Sequence, residues 1–282
     1  MSVKILIDSA SDITMAEAKE MGITLLPIEV NFGGETFMDG DTILADDFFK
    51  KLETATELPK TTQINSFRFE EEFKKHIDNE DEVVCLCLSS KISGTYNNAR
   101  LTAESFEGKA YAVDTLNATA GMRILVEYAI RLVAEGKTAA EVAEELENKK
   151  SKVRVIAMID TLKYLKMGGR ISGAAAFIGG MLNLKPMIGV IDGEVKVIGK
   201  CVGAKKAIQY INQAVKDAGG VDMTMPYCNI LSGLDTTNYE KFVETNAEIY
   251  GDKAANVKAY KLGATIGSHI GPGAVGAVFF AK

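Results

Sequence analysis

Three clusters of hydroxyl-bearing residues have the makings of a binding or reactive site, and two of them stand directly after an apolar run. Ser89, Ser90, Ser93 and Thr95 surround Gly94 directly after Val83 to Leu88, six unbroken apolar residues. Thr61, Thr62 and Gln63 lie in the polar stretch Pro59 to Ser66, and Asp8-Ser9-Ala10-Ser11-Asp12 follows the β-branched run Val3 to Ile7. An apolar run without alternation reads as a strand buried on both faces of a parallel sheet. Ligands of such sheets sit beyond the carboxyl ends of the strands, where helix N-termini offer unpaired N–H groups, and hydroxyls there suit an anion. Helix capping accounts for part of the same pattern with no ligand at all. Ser93 or Thr95 would cap a helix through Ala99, Leu101 and Ala103, Asp8 or a neighbouring serine one over Met15 to Met21, and Ser66 one carrying Phe69 and Phe73. A cap at Ser66 leaves Thr61, Thr62 and Gln63 without a role.

Arg170 and His269 extend this set. Arg170 stands between small-residue stretches, where a guanidinium wants a carboxylate or phosphate partner. Gly168 to Gly180, dominated by Gly and Ala, allows either tight helix packing or room for a long apolar ligand. His269 precedes Gly271-Pro272-Gly273 in a glycine-rich loop; lone histidines are usually structural, whereas such loops often carry function. An alternative makes Ser93 a nucleophile and His269 its base, in an esterase or acyltransferase. Lys91 stands two residues before Ser93, so the Gly-x-Ser-x-Gly elbow is missing, and nothing marks an acid that would orient His269. Binding is therefore favoured over catalysis, and no catalytic residue is assigned. His76, among Glu and Lys in a helix, reads as an exposed surface residue. Cys85, Cys87, Cys201 and Cys228 include no Cys-x-x-Cys pair, so neither disulfides nor zinc are expected, and two histidines exclude histidine-rich metal chemistry.

The elements that must position these residues repeat in the order strand, polar tip, helix. Val3 to Ile7, Leu25 to Phe32, Val83 to Leu88, Ala110 to Val113 and Val153 to Ile159 read as strands. A helix from Asp46 turns Phe48, Phe49 and Leu52 inward, Ala118 to Ala134 is an apolar helix, and Thr138 with Glu141 forms a capping box for Val142 to Lys149. A boundary near Ser151 divides the 282 residues into 1–152 and 153–282. Beyond it, Met187 to Ile191 and Val195 to Ile198 make a hairpin about Asp192-Gly193. A helix over Gly203 to Asp217, a strand over Tyr227 to Leu231, a helix over Asn238 to Tyr250 and a last apolar strand follow, so the second half is not simply doubly wound. With 32 Lys and Arg against 38 Asp and Glu, no general basic field exists to hold a nucleic acid. Neither a signal peptide nor an apolar run of ~18 residues is present, and a cytoplasmic chain is expected.

Eight of these pieces, in order, resemble the DegV family of bacterial fatty-acid-binding proteins. They are Asp8-Ser9-Ala10-Ser11-Asp12, Thr61-Thr62-Gln63, Ser90-x-x-Ser93-Gly94-Thr95-Tyr96, Val113-Asp114, Asp160-Thr161-Leu162-x-Tyr164-Leu165-x-x-Gly168-Gly169-Arg170-Ile171-Ser172, Leu184-Lys185-Pro186, Asp192-Gly193 and His269-x-Gly271-Pro272-Gly273. The resemblance runs the whole length and extends to the fatty-acid-binding subunits of bacterial fatty acid kinase. It departs at Ile64, where the family pattern has proline. It implies a two-domain α/β fold: an N-terminal parallel sheet with flanking helices, a C-terminal mixed α/β domain, and a ligand between them. That ligand is a long-chain fatty acid with no further cofactor, its carboxylate held by the Thr61 or Thr62 hydroxyl and by Ser93, with Arg170 and His269 near the head group. The implied partner is an ATP-binding kinase subunit that phosphorylates the bound carboxylate to an acyl phosphate, and transient membrane-surface contact accompanies such a cargo. The chain has no Gly-x-x-x-x-Gly-Lys-Ser/Thr loop of its own and would be the substrate-presenting half.

Overall fold

The computed structural model describes residues 2–171 and 183–282. Most of the Gly/Ala-rich stretch Gly168 to Gly180, with Ser172, lies outside the described residues. The first half runs β1 (Val3–Asp8), α1 (Met15–Met21), β2 (Thr24–Leu26), β3 (Glu29–Phe32), β4 (Glu35–Met38), α2 (Ala45–Glu53), β5 (Lys60–Thr62), α3 (Ser66–Ile77), β6 (Glu82–Cys87), α4 (Thr95–Ala103), β7 (Ala110–Asp114), α5 (Ala120–Ala134) and α6 (Ala139–Lys149). Its main sheet is parallel, in the order β2-β1-β6-β7. Val83 through Cys87 are fully buried at its centre, as the unbroken apolar run requires. Leu25 to Phe32 is two strands. Pro27 has no N–H to continue a ladder, so β2 pairs with β1 while β3 turns away to pair antiparallel with β4 and β5 in a separate three-stranded sheet.

The second half runs β8 (Val153–Met158), α7 (Lys163–Met167), β9 (Leu184–Ile191), β10 (Glu194–Val202), α8 (Ala204–Asp217), β11 (Tyr227–Leu231), α9 (Thr237–Val243), α10 (Ala247–Tyr250), β12 (Ala259–Lys261), α11 (Ala264–Ile270) and β13 (Val275–Phe280). These strands form a mixed sheet in the order β10-β9-β8-β13-β11-β12, in which only β11 and β12 are parallel. The fold is thus a mixed α/β fold with one parallel and one mixed sheet. Among the described residues no helix is long and apolar enough to cross a membrane.

Several local expectations are corrected. Asn65, not Ser66, caps α3, accepting the Arg68 N–H at 3.1 Å. Thr14 caps α1 in a capping box with Glu17, because the Asp8 carboxylate is spent on the N–H groups of Ala10 and Leu88. The Thr138–Glu141 box forms as expected. Asn238 to Tyr250 breaks into α9 and α10 at Thr245-Asn246, poor helix formers, where the Thr245 carbonyl accepts from Asn212 of α8 instead. His76 is half-buried and hydrogen-bonded to Thr24 at 3.2 Å, and burial lowers its pKa. His269 lies on α11, not in a loop. Gly267 there serves close packing: a Cβ would stand 2.6 Å from the Phe48 ring.

Candidate functional site

A cavity of about 380 Å³ lies between the carboxyl edge of the parallel sheet, the three-stranded sheet and one face of the mixed sheet. Val155, Ala157 and Ile159 reach it from every second position along β8 and just beyond, and Ile188 and Val190 do the same from β9. Ile266 and Ile270, one turn apart on α11, close the opposite wall with Leu88 and Ile92. Thr61, Thr62, Ser93, Arg170 and His269 all line it too, so the structure brings together all five residues expected at the site. Of these, Thr62 borders the cavity but is exposed, as strand alternation against Thr61 dictates. A mostly apolar cleft of this size with a few convergent polar groups is the usual form of a small-molecule site.

Thr61 extends from β5, held in register by its pairing with Val30, and its Oγ1 stands 3.0 Å from His269 Nε2. His269 Nδ1 is buried against Gly168 and has no hydrogen-bond partner among the described residues. Burial, and then the nearby Arg170 guanidinium, pushes the imidazole down to about 4, so it is neutral at pH 7. Arg170 has no carboxylate partner among the described residues; it donates to the carbonyls of Gly168 (2.5 Å) and Ile92 (3.3 Å), tying the end of α7 to the loop after β6. Ser93 Oγ accepts the Thr95 N–H at 3.2 Å and lies 3.0 Å from Thr95 Oγ1, but neither residue is the expected cap: α4 starts after Gly94 with no side-chain cap bond. Among the described residues no hydrogen bond joins Ser93 to His269, and no acid orients the ring. A nucleophile and base pair is therefore not assembled.

Ile64, in place of the family's proline, is buried, and its N–H donates to Thr95 Oγ1 at 3.3 Å while its carbonyl accepts from Asn98 at 2.7 Å. The two hydroxyl loops are thereby joined by a bond that proline would lack. Asp8-Ser9-Ala10-Ser11-Asp12 does not line the cavity. Asp12 accepts the Gly263 N–H at 2.8 Å, and Asp39 accepts those of Ala264 (2.8 Å) and Thr265 (3.1 Å), so two buried carboxylates of the first half hold the start of α11. Burial raises Asp8 and Asp12 to about 7 and raises Asp39 as well. Sequence marks Thr95 only as one of the hydroxyls around Gly94 and Ile64 only as a departure from the family pattern, and it does not mark Asp39. Asp39-Gly40 is a turn signal, but nothing local in the sequence links it to residue 264.

The model of the family described as an uncharacterised protein, DegV family, matches residues 2–282. A DegV domain-containing protein of Caldanaerobacter subterraneus is 33% identical over 283 residues, covering 99% of each chain. Among solved structures, a DegV family protein from Thermus thermophilus, described as binding fatty acid, superposes with a TM-score of 0.88 at 32% identity over 100% of both chains. A DegV protein from Bacillus subtilis, described as a fatty acid binding protein, gives 0.84 at 27% identity, again over 100% of both.

Proposed function

Because the chain belongs to the DegV family, we propose that it binds a long-chain fatty acid, with the acyl tail in the cavity between the halves 1–152 and 153–282, read here as two domains. The carboxylate lies at the polar end, between the hydroxyls of Thr61 and Ser93, with His269 and Arg170 beside it and Thr62 at the rim. The observation that carries this reading is one largely apolar cavity that Thr61, Ser93, Arg170 and His269 line together. Burial is worth ~0.8 kcal/mol per methylene, so a chain of about sixteen carbons gains on the order of 10 kcal/mol before ordering costs. Such a ligand survives purification. The test is mass spectrometry of a denaturing lipid extract of the purified protein, where a stoichiometric long-chain fatty acid is expected. Extracts without acyl species, together with failure to take up added fatty acid, would refute the reading.

The bound carboxylate is then presented to a separate ATP-binding kinase subunit, which converts it to an acyl phosphate. Head-group residues on the cavity rim and the absence of a phosphate-binding loop in the sequence support this role. The chain itself acts as a lipid-binding protein that uses no cofactor and exchanges its cargo in transient contact with a membrane surface. The kinase step is tested by adding the kinase subunit and ATP to loaded protein and following acyl phosphate with hydroxylamine. The absence of any ATP-dependent trapping would leave lipid binding as the whole function.

A further inference from the structure

The hydrogen bonds behind Ser93 fix the direction of its proton. Thr95 is completely buried, and its Oγ1 already accepts the Ile64 N–H. Its own hydroxyl proton has one acceptor within reach, Ser93 Oγ at 3.0 Å. The reverse direction would leave a buried O–H without a partner, which is costly, whereas Ser93 faces the cavity and loses nothing. With Thr95 donating from both its N–H and its O–H, both lone pairs of Ser93 Oγ are filled, and the Ser93 proton is left to point into the cavity. Thr61 is restricted in part, by another route. The His269 ring is neutral, and Nδ1 has no acceptor among the described residues; a buried orphan N–H is rarer than a bare lone pair, so the proton sits on Nε2 and is donated to Thr61 Oγ1. The Thr61 proton is then also free for the cavity.

We propose that Thr95, anchored by the Ile64 N–H, is a positioning residue that makes Ser93 an obligate donor, so that the polar end of the cavity selects ligands whose head group only accepts hydrogen bonds. An ionised carboxylate satisfies both hydroxyls, while a fatty alcohol of the same length brings a proton that Ser93 cannot accept. The proposal rests on the fatty-acid reading for its ligand class, and the two fail separately. Wild-type protein that binds neither palmitate nor hexadecanol refutes the reading itself.

The experiment compares palmitate and hexadecanol affinities by displacement of a fluorescent fatty acid. The ratio of the two is the readout, because a general loss of stability moves both alike. Thr95→Val keeps the branched shape without the hydroxyl and should lower the acid-to-alcohol ratio by about tenfold, the scale of one hydrogen bond to a charged group. Thr95→Ser should restore it. Ser93→Ala should lower the ratio similarly, and Thr95→Val added to Ser93→Ala should lower it no further, since Thr95 acts through Ser93. A folded Thr95→Val protein with the wild-type ratio, or additive loss in the double variant, overturns the proposal. Should Thr95→Val fail to fold, Thr95→Cys, whose thiol is a weaker donor in the same place, must lower the ratio in the same direction, and a wild-type ratio there overturns it equally.

Discussion

Thr61→Val separates the part Thr61 plays in the protein alone from its part in the ligand site. Valine keeps the β-branched shape that suits β5, so the register with Val30 survives and only the hydroxyl is lost. Two interactions go with it. His269 Nε2, whose bond to Thr61 is 3.0 Å, becomes a second ring nitrogen without a partner beside the orphaned Nδ1, and leaving a buried polar group unpaired costs ~1–3 kcal/mol. The carboxylate loses one charge-assisted hydrogen bond, ~1.5–3 kcal/mol, which is a fall in affinity of roughly 10- to 150-fold. The tail contributes several times more, so ligand remains bound at micromolar protein. Melting of delipidated protein reads the first loss and fatty-acid displacement the second. Thr61→Ser should recover most of both, and Thr62→Ala, at an exposed position on the other face of the strand, should change neither by more than about twofold. If Thr61→Val binds palmitate as the wild type does, or if Thr62→Ala is the damaging change, the head group lies elsewhere and the pairing with His269 is only structural.

Asp8 and Asp12 titrate near 7 in the native state against 3.8 unfolded, so they favour folding at low pH, and that contribution is lost as the pH rises from about 4 to 7. Asn at position 12 keeps an oxygen for the Gly263 N–H and offers an amide proton to Thr119; Asp12→Asn should therefore flatten this slope and raise the melting temperature at pH 8, and urea titrations giving the wild-type slope would count against it. Asp39→Ala frees the start of α11, so the His269 pKa, about 4 in the intact protein, should climb toward 6.5 while that of His76 stays put; NMR of the two histidines measures both, and an unmoved His269 refutes the anchoring role. Ala157→Leu places three more heavy atoms in the cavity, displacing about two methylenes of a long chain and shifting preference toward shorter acids by on the order of tenfold, with an unchanged chain-length profile as the contrary result. Lys166, exposed on α7 beside the head-group end, suits an acidic partner, so Lys166→Glu should slow kinase-dependent phosphorylation without weakening fatty-acid binding; equal loss of both would show that α7 shapes the cavity instead.

Much of this fold is legible because it is set locally. Six apolar residues mark β6, the Thr138–Glu141 spacing marks the start of α6, and Asp192-Gly193, both at positive φ, marks the hairpin turn. Where the sequence misleads, the deciding contact is remote. The glycines near His269 suggest a flexible loop, yet Gly267 is small because Phe48 packs on it and Gly271 because the Tyr164 ring does, and both hold α11 as a helix. Leu25 to Phe32 has the pattern of one strand, but Pro27 divides it between two sheets.

The site divides along the same line. Residue type marks Thr61, Ser93, Arg170 and His269 as candidates and the structure gathers them on one cavity, while their assignment to an acid's head group follows from the family resemblance. Which way each proton points depends on groups that no spacing rule connects. The Ser93 proton is set by Thr95 and the N–H of Ile64, and that of Thr61 by the orphaned Nδ1 of His269 pressed against Gly168. A hydroxyl both donates and accepts, so a cavity lined with hydroxyls is indifferent to acids and alcohols until its surroundings fill the lone pairs. Here both lone pairs of Ser93 are filled from behind and one of Thr61's is, which makes Ser93 an obligate donor beside a hydroxyl that already accepts once. The site's preference for a carboxylate thus resides as much in Ile64, Thr95 and Gly168, none of which need touch the ligand's charge, as in the residues that do.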